Sequence, residues 1–360
     1  MDKKTLHSLF SKMVETDASD LFLTTGAPPH LKVLGQSSPL DVPALLPGQA
    51  GELAYSIMSP QQITDFERQL EANLSYSAPE IGRFRISVYR QRGETAMVAR
   101  LIHATIPDFD TLGLPAVVRD LALLRRGLLL VVGSAGSGKS TTLASMIDHR
   151  AHHSQGHILT VEDPIEYLFT HDRSTVDQRE IGTDTHSFAD ALRNAMRQAP
   201  DVIMIGEIRD RETMEHAIAY AETGHLCVST LHAANASQAL KRTINFFPEN
   251  MHPQLRLDLS LNLQAVLSQR LLPGRKGGRV LATELLLHSA YVADLVLKGA
   301  VDEIRRAIEK STGVGMHTFD QVLLELYNAG RISEDTALAN ADSRTDIRQR
   351  MLVRSAYDPR

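Results

Sequence analysis

The stretch Gly133-Ser134-Ala135-Gly136-Ser137-Gly138-Lys139-Ser140 has the composition and spacing of a phosphate cradle. Its glycines let successive backbone N–H groups turn toward one anion, and a helix opening at the end of the loop adds its positive end to the same place. Lys139 can then reach the outer phosphates of a nucleoside triphosphate, and the Ser140 hydroxyl can ligate Mg²⁺. Thr141 completes the stretch assigned to the nucleotide. A glycine-rich turn without function needs neither flank, yet both are present. The apolar run 128–132 reads as a buried strand, and Leu143, Met146 and Ile147 follow at helical spacing.

Three later segments carry the polar groups such a site needs. Thr160-Val161-Glu162-Asp163-Pro164-Ile165-Glu166 places three carboxylates where an apolar run ends at a proline, which suits handling of Mg²⁺ and an attacking water. Val202-Ile203-Met204-Ile205 reads as a central parallel strand with Glu207 just past its end, in position to meet Mg²⁺ or its water shell. Gly206 stands where many enzymes with this loop have an aspartate, so the metal role passes to Glu207. Finally, His225 and His232 flank the short apolar segment 226–231, and imidazole N–H groups can donate to a γ-phosphate oxygen.

The elements that must position these groups fall into blocks. Residues 1–105 read as a small α+β domain. Leu6, Leu9, Phe10, Met13 and Val14 recur at helical spacing, and short strands are expected at 21–23 and 31–34. Ser59-Pro60-Gln61-Gln62 is a capping box that starts a helix running to about Leu70. Strict alternation over 83–90 and a second strand over 95–102 make a hairpin around Gln91-Arg92-Gly93. A linker is expected at 106–112, followed by an α/β domain at 113–285 with a parallel sheet covered by helices on both faces. From about 253 onward the pattern reads as mostly helical, with a separate helical region at 286–360.

Bulk composition narrows the classes. The 360-residue chain is 43% hydrophobic and 22% charged, with a net charge of −5, which offers no global basic footprint for nucleic acid. A single cysteine excludes an internal disulfide and a tetracysteine zinc site. The sequence lacks both an apolar run long enough to span a membrane and the apolar core of a secretory signal at its first residues, so a cytoplasmic protein is expected.

Taken together, the four segments resemble the secretion ATPases that power type IV pili and type II secretion. They correspond to that family's Walker A loop (133–140), Asp box (160–166), Walker B strand ending in Gly206-Glu207, and His box (223–232). The resemblance covers nearly the whole chain. It implies a RecA-like P-loop domain preceded by a PAS-like domain, ATP and Mg²⁺ as cofactors, and assembly into a cytoplasmic homohexamer at the inner-membrane base of a pilus machine. By motif position it makes Glu166 the general base, with Glu162 and Asp163 weaker candidates. It puts Glu207 at Mg²⁺ and both histidines at the γ-phosphate and the subunit interface. Arg85 and Arg100 of the hairpin are the arginines it would bring to nucleotide.

Within the family, the missing tetracysteine motif and the stretches 83–85, 245–248 and 315–321 resemble the retraction branch, the PilT/PilU group. Stretches 87–93 and 260–264 are nearer its PilU type, while 290–298 departs from the helix text of the PilT type. A motor subunit supporting retraction is implied, acting with a PilT-like partner ring and an inner-membrane platform protein. The alternatives are the main retraction motor itself, a structural or regulatory ring component, and a secretion or DNA-transfer ATPase.

Overall fold

The structure, a computed structural model, describes residues 2–33, 35–102 and 105–357. The chain divides into two compact units: Met1–Thr105 with Pro164–Leu168 and Glu180–Asp184, and the remainder.

The first unit is built on a six-stranded antiparallel sheet. Its strands are β1 (Asp20–Leu23), β2 (His30–Val33), β3 (Gln36–Pro39), β4 (Glu71–Ala78), β5 (Gly82–Gln91) and β6 (Glu94–Ile102), in the order β3-β2-β1-β6-β5-β4. Leu34, which the expected second strand included, lies outside the described residues. The alternation in β5 puts Phe84, Ile86 and Val88 fully into the core. Helix Lys3–Glu15 lays Leu6, Phe10 and Met13 onto the same core, and the Phe10 ring stacks on Phe84 with centroids 4.0 Å apart. The Ser59/Gln62 capping box is formed and opens helix Pro60–Gln69.

The second unit holds a seven-stranded sheet. Its strands are β7 (Gly127–Gly133), β8 (Gly156–Glu162), β9 (Ser174–Glu180), β10 (Val202–Ile205), β11 (Leu226–Leu231), β12 (Leu263–Pro273) and β13 (Arg279–Leu287), ordered β13-β12-β7-β11-β10-β8-β9. Every residue of β7, β10 and β11 is buried, which requires cover on both faces of the sheet. On one face Leu129, Val131, Met204 and Val228 pack with Leu143, Met146 and Ile147 of helix Lys139–His153.

Two expectations are corrected here. The α/β class holds, but the sheet is mixed: β13 runs antiparallel to β12. The chain after 253 is also less helical than its pattern, because helix His252–Asn262 passes directly into the β12–β13 hairpin. β12 lies between two strands and buries both faces, so its leucine-rich run lacks the alternation that would have marked it as a strand. Past the hairpin come helices Ala290–Lys298, Ile304–Lys310, Phe319–Asn328, Glu334–Asn340 and Arg344–Tyr357. Phe319, Leu323, Leu338 and Ile347 from this region share a core with Leu272 and Ala282 of the hairpin.

Candidate nucleotide site

Strands β12, β7, β11, β10 and β8 are mutually parallel and neighbouring, so their carboxyl ends share one edge of the sheet. Loops leaving such an edge form the usual binding crevice of an open α/β sheet. The phosphate loop leaves β7 at Gly133. Gly138, at φ +92°, is the N-cap of helix Lys139–His153 and brings no side-chain cap to the helix start. Gly133 is required by crowding. A Cβ there would sit 2.3 Å from Ser137 Oγ and 2.7 Å from the Gln269 carbonyl oxygen.

Lys139 is buried, with 8% of its surface exposed, and its Nζ donates to the carbonyl oxygens of Gly133 (3.1 Å) and Ser134 (2.8 Å). The ammonium is thus held inside the loop it serves. Ser134, Ala135, Gly136 and Ser140 are exposed, Thr141 is half-buried, and Ser137 is buried with no hydrogen-bond partner for its Oγ among the described residues.

At the end of β10, Glu207 accepts from Arg209 Nε at 2.9 Å, and its other oxygen lies 3.2 Å from His232 Nε2. Arg209 Nη1 reaches Asp163 at 3.4 Å, so Asp163, Arg209, Glu207 and His232 form one chain of polar contacts. Glu162 is buried and accepts from Thr160 Oγ1 (2.7 Å) and Gln178 Nε2 (3.1 Å). The structure also explains Gly206. A Cβ there would lie 3.3 Å from both Glu162 Cα and the Val161 carbonyl oxygen, so an aspartate would press on β8.

Within its own chain His225 lies away from the loop. It precedes β11 beside Gly127, at the opening end of β7, and its Nδ1 contacts Thr223 Oγ1 at 3.1 Å. A six-residue strand at about 3.3 Å per residue leaves it about 20 Å from the carboxyl edge. Of the two histidines expected at the γ-phosphate and the subunit interface, His232 therefore stands at the carboxyl edge of its own chain and His225 at the opposite end of β11.

Glu166, Arg85 and Arg100 belong to the first unit, where they line a cleft of about 240 Å³ with Ile102, Ile165 and Tyr167. Arg85 and Arg100 are direct cross-strand partners, a like-charge pairing that disfavours the sheet unless an anion offsets it. Asp20 offsets part of this by accepting from Arg100 Nε at 2.8 Å. Within the same unit the buried Glu180 accepts from Arg83 Nη2 (2.7 Å) and from the Ile165 N–H (3.1 Å), fixing the chain beside Glu166. Sequence reasoning missed Glu180 and gave Arg83 no role. It also missed Arg209, although a charged residue two positions after Glu207 at a strand end was a usable signal.

One more buried carboxyl borders the site. Glu284 on β13 accepts from the N–H of Ala236, the first residue of helix Ala236–Asn245, at 2.8 Å, and from Ser268 Oγ at 3.3 Å. Burial pushes this carboxyl up from 4.5 to about 7, outweighing those hydrogen bonds. Below pH 4.5 it is protonated folded and unfolded, and contributes no pH dependence. Between 4.5 and 7 the folded chain keeps a proton that the unfolded chain has lost, so stability falls as pH rises and levels off above 7, by about 3 kcal/mol in total. Glu284→Gln should flatten that slope in denaturant titrations at pH 5 and pH 8; an unchanged slope would show that Glu284 does not cause it.

Comparison with known proteins agrees with this geometry. The family model described as Type II/IV secretion system protein matches residues 51–293. The type IV pilus ATPase PilU of Pseudomonas aeruginosa is 50% identical over 97% of this chain and 92% of its own. The PilT pilus retraction ATPase of the same organism is 39% identical over 90% of this chain and 94% of its own. A crystal structure of the pilus retraction motor PilT with bound ADP superposes with a TM-score of 0.90 at 42% identity, covering 95% of this chain and 98% of that one. The ATPase DotB of Legionella pneumophila superposes at 0.83 with 27% identity, covering 94% and 95%. Among the described residues no helix is long and apolar enough to cross a membrane.

Proposed function

The chain belongs to the type II/IV secretion system protein family, and from that premise we propose that it is an ATP-hydrolysing motor subunit of a type IV pilus machine that supports pilus retraction. The observation that carries this reading is 50% identity to PilU along nearly the full length of both chains. The loop at 133–140 supports nucleotide binding through its glycine-capped helix start and its internally held lysine. The second unit then acts as a RecA-like domain and the first as a PAS-like one. The working form is a homohexamer at the cytoplasmic base of the pilus, with a PilT-like ATPase and an inner-membrane platform protein as partners.

In this reading Gly133, Ser134, Ala135, Gly136, Ser137 and Gly138 wrap the phosphates, Lys139 leaves its two carbonyls for them, and Thr141 adds a donor at the helix start. The Ser140 hydroxyl and the Glu207 carboxylate are hard oxygen donors of the kind Mg²⁺ takes, and both stand on the loop edge of the sheet. When bound, that ion neutralises charge on the phosphate oxygens. His232 reports on the nucleotide through Glu207, which it touches. Glu166 takes the proton from the attacking water, and Arg85 and Arg100 meet phosphoryl charge, the role their unfavourable pairing suits. The acidic net charge gives no support to a nucleic-acid substrate.

Gene deletion with complementation tests the proposal. Twitching expansion and pilus retraction should drop on deletion and return with the wild-type chain but not with Glu207→Ala. Undiminished retraction in the deletion strain would overturn the motor reading, and full rescue by Glu207→Ala would reduce the chain to a structural ring component.

A further inference from the structure

Gln269 touches both ends of the phosphate loop. Its backbone pairs in register with Gly133, where the loop begins, and its carbonyl oxygen occupies the space that forbids a side chain there. Its side chain, only 1% exposed, reaches past the loop and donates from Nε2 to Thr142 Oγ1 at 2.7 Å. Thr142 lies in the first turn of the helix that the loop opens, and its own N–H is bonded to Gly138. One residue of β12 therefore sets the distance between the loop's entry and its exit.

Two further observations mark the position as more than core packing. Among the described residues, Gln269 Oε1 is buried with no hydrogen-bond partner, and so is Ser137 Oγ inside the loop. A buried amide oxygen without a donor is unfavourable, and a leucine of similar size would avoid it. The neighbouring Arg270 points to the opposite face of the strand. There its guanidinium lies 3.8 Å from the Phe319 ring centroid and donates to the Asn340 carbonyl (2.6 Å) and to Asp342 (2.7 Å). The strand that braces the loop is thereby bonded to the C-terminal helices.

We propose that Gln269 is a positioning residue for the phosphate loop, bracing its two ends through Thr142 so that the loop's N–H groups are spaced for a triphosphate. This rests on the nucleotide site described above. The test is a double-mutant cycle of Gln269→Leu and Thr142→Val in the full chain, reading ATP KM, kcat, the affinity for a fluorescent ATP analogue, and the melting temperature without nucleotide. Each single variant should raise KM and weaken analogue binding about tenfold, the size of one lost hydrogen bond, while kcat changes less. The double variant should be no worse than the poorer single. Additive losses, or a lowered melting temperature with KM unchanged, would overturn the proposal. If Gln269→Leu does not fold, Thr142→Val decides alone: an unchanged KM refutes the brace. Failure of the wild-type chain to bind the analogue would instead remove the nucleotide reading itself.

Discussion

Lys139→Ala is expected to lower ATP turnover by about 10³-fold, the loss that follows removal of a preorganised charge from developing phosphoryl charge. The side chain is already desolvated and aimed: it is 8% exposed, with its ammonium bonded to the carbonyls at the start of the loop. Alanine removes that charge, leaves those two carbonyls without their donor, and opens a hole under the phosphates. Lys139→Arg should not rescue, because a forked guanidinium does not fit a space shaped for a point charge. Steady-state phosphate release and binding of labelled ATP check both variants. Turnover within threefold of wild type in Lys139→Ala would remove this loop from catalysis.

Glu166→Gln should separate binding from chemistry. If Glu166 accepts the proton of the attacking water, the amide should cut kcat by about 10²–10⁴-fold and leave nucleotide affinity nearly intact. The competing carboxylate is poorly suited to that work. Glu162 is buried and already accepts from Thr160 and Gln178, so its lone pairs serve the strand end. Glu166 is exposed and faces a cleft shared with two arginines. Glu162→Gln is therefore expected to act mainly through stability. A larger loss of kcat in Glu162→Gln than in Glu166→Gln would transfer the role of base.

How much of this could be read from the sequence depends on how far apart the cooperating residues lie. The phosphate loop is a contiguous octad, and its cause is local: backbone turns and a helix start. The Ser59 capping box and the alternation of β5 are local too, and both appear as expected. β3 left no trace because all four of its residues are exposed, and β4 buries only Leu74 and Ala78 fully, so neither shows a readable face. In the site, the partners of Gln269 and Glu284 are 127 and 48 positions away. No spacing rule reaches that far. His225 shows the converse: it is near His232 in sequence, yet within one chain an extended strand sets the two apart.

The assignment of residues 164–168 and 180–184 to the first unit bears on how such proteins can be recombined. A chimera joined at residue 105 would take Arg83 from one parent and its carboxylate, Glu180, from the other. The amide of Ile165, which anchors to the same carboxylate, would come with the second parent. Exchange at one crossover thus splits a half-buried ion pair across two lineages, and functional swaps must carry three separate pieces of chain together. The gene order hides what the fold treats as a single inheritable module.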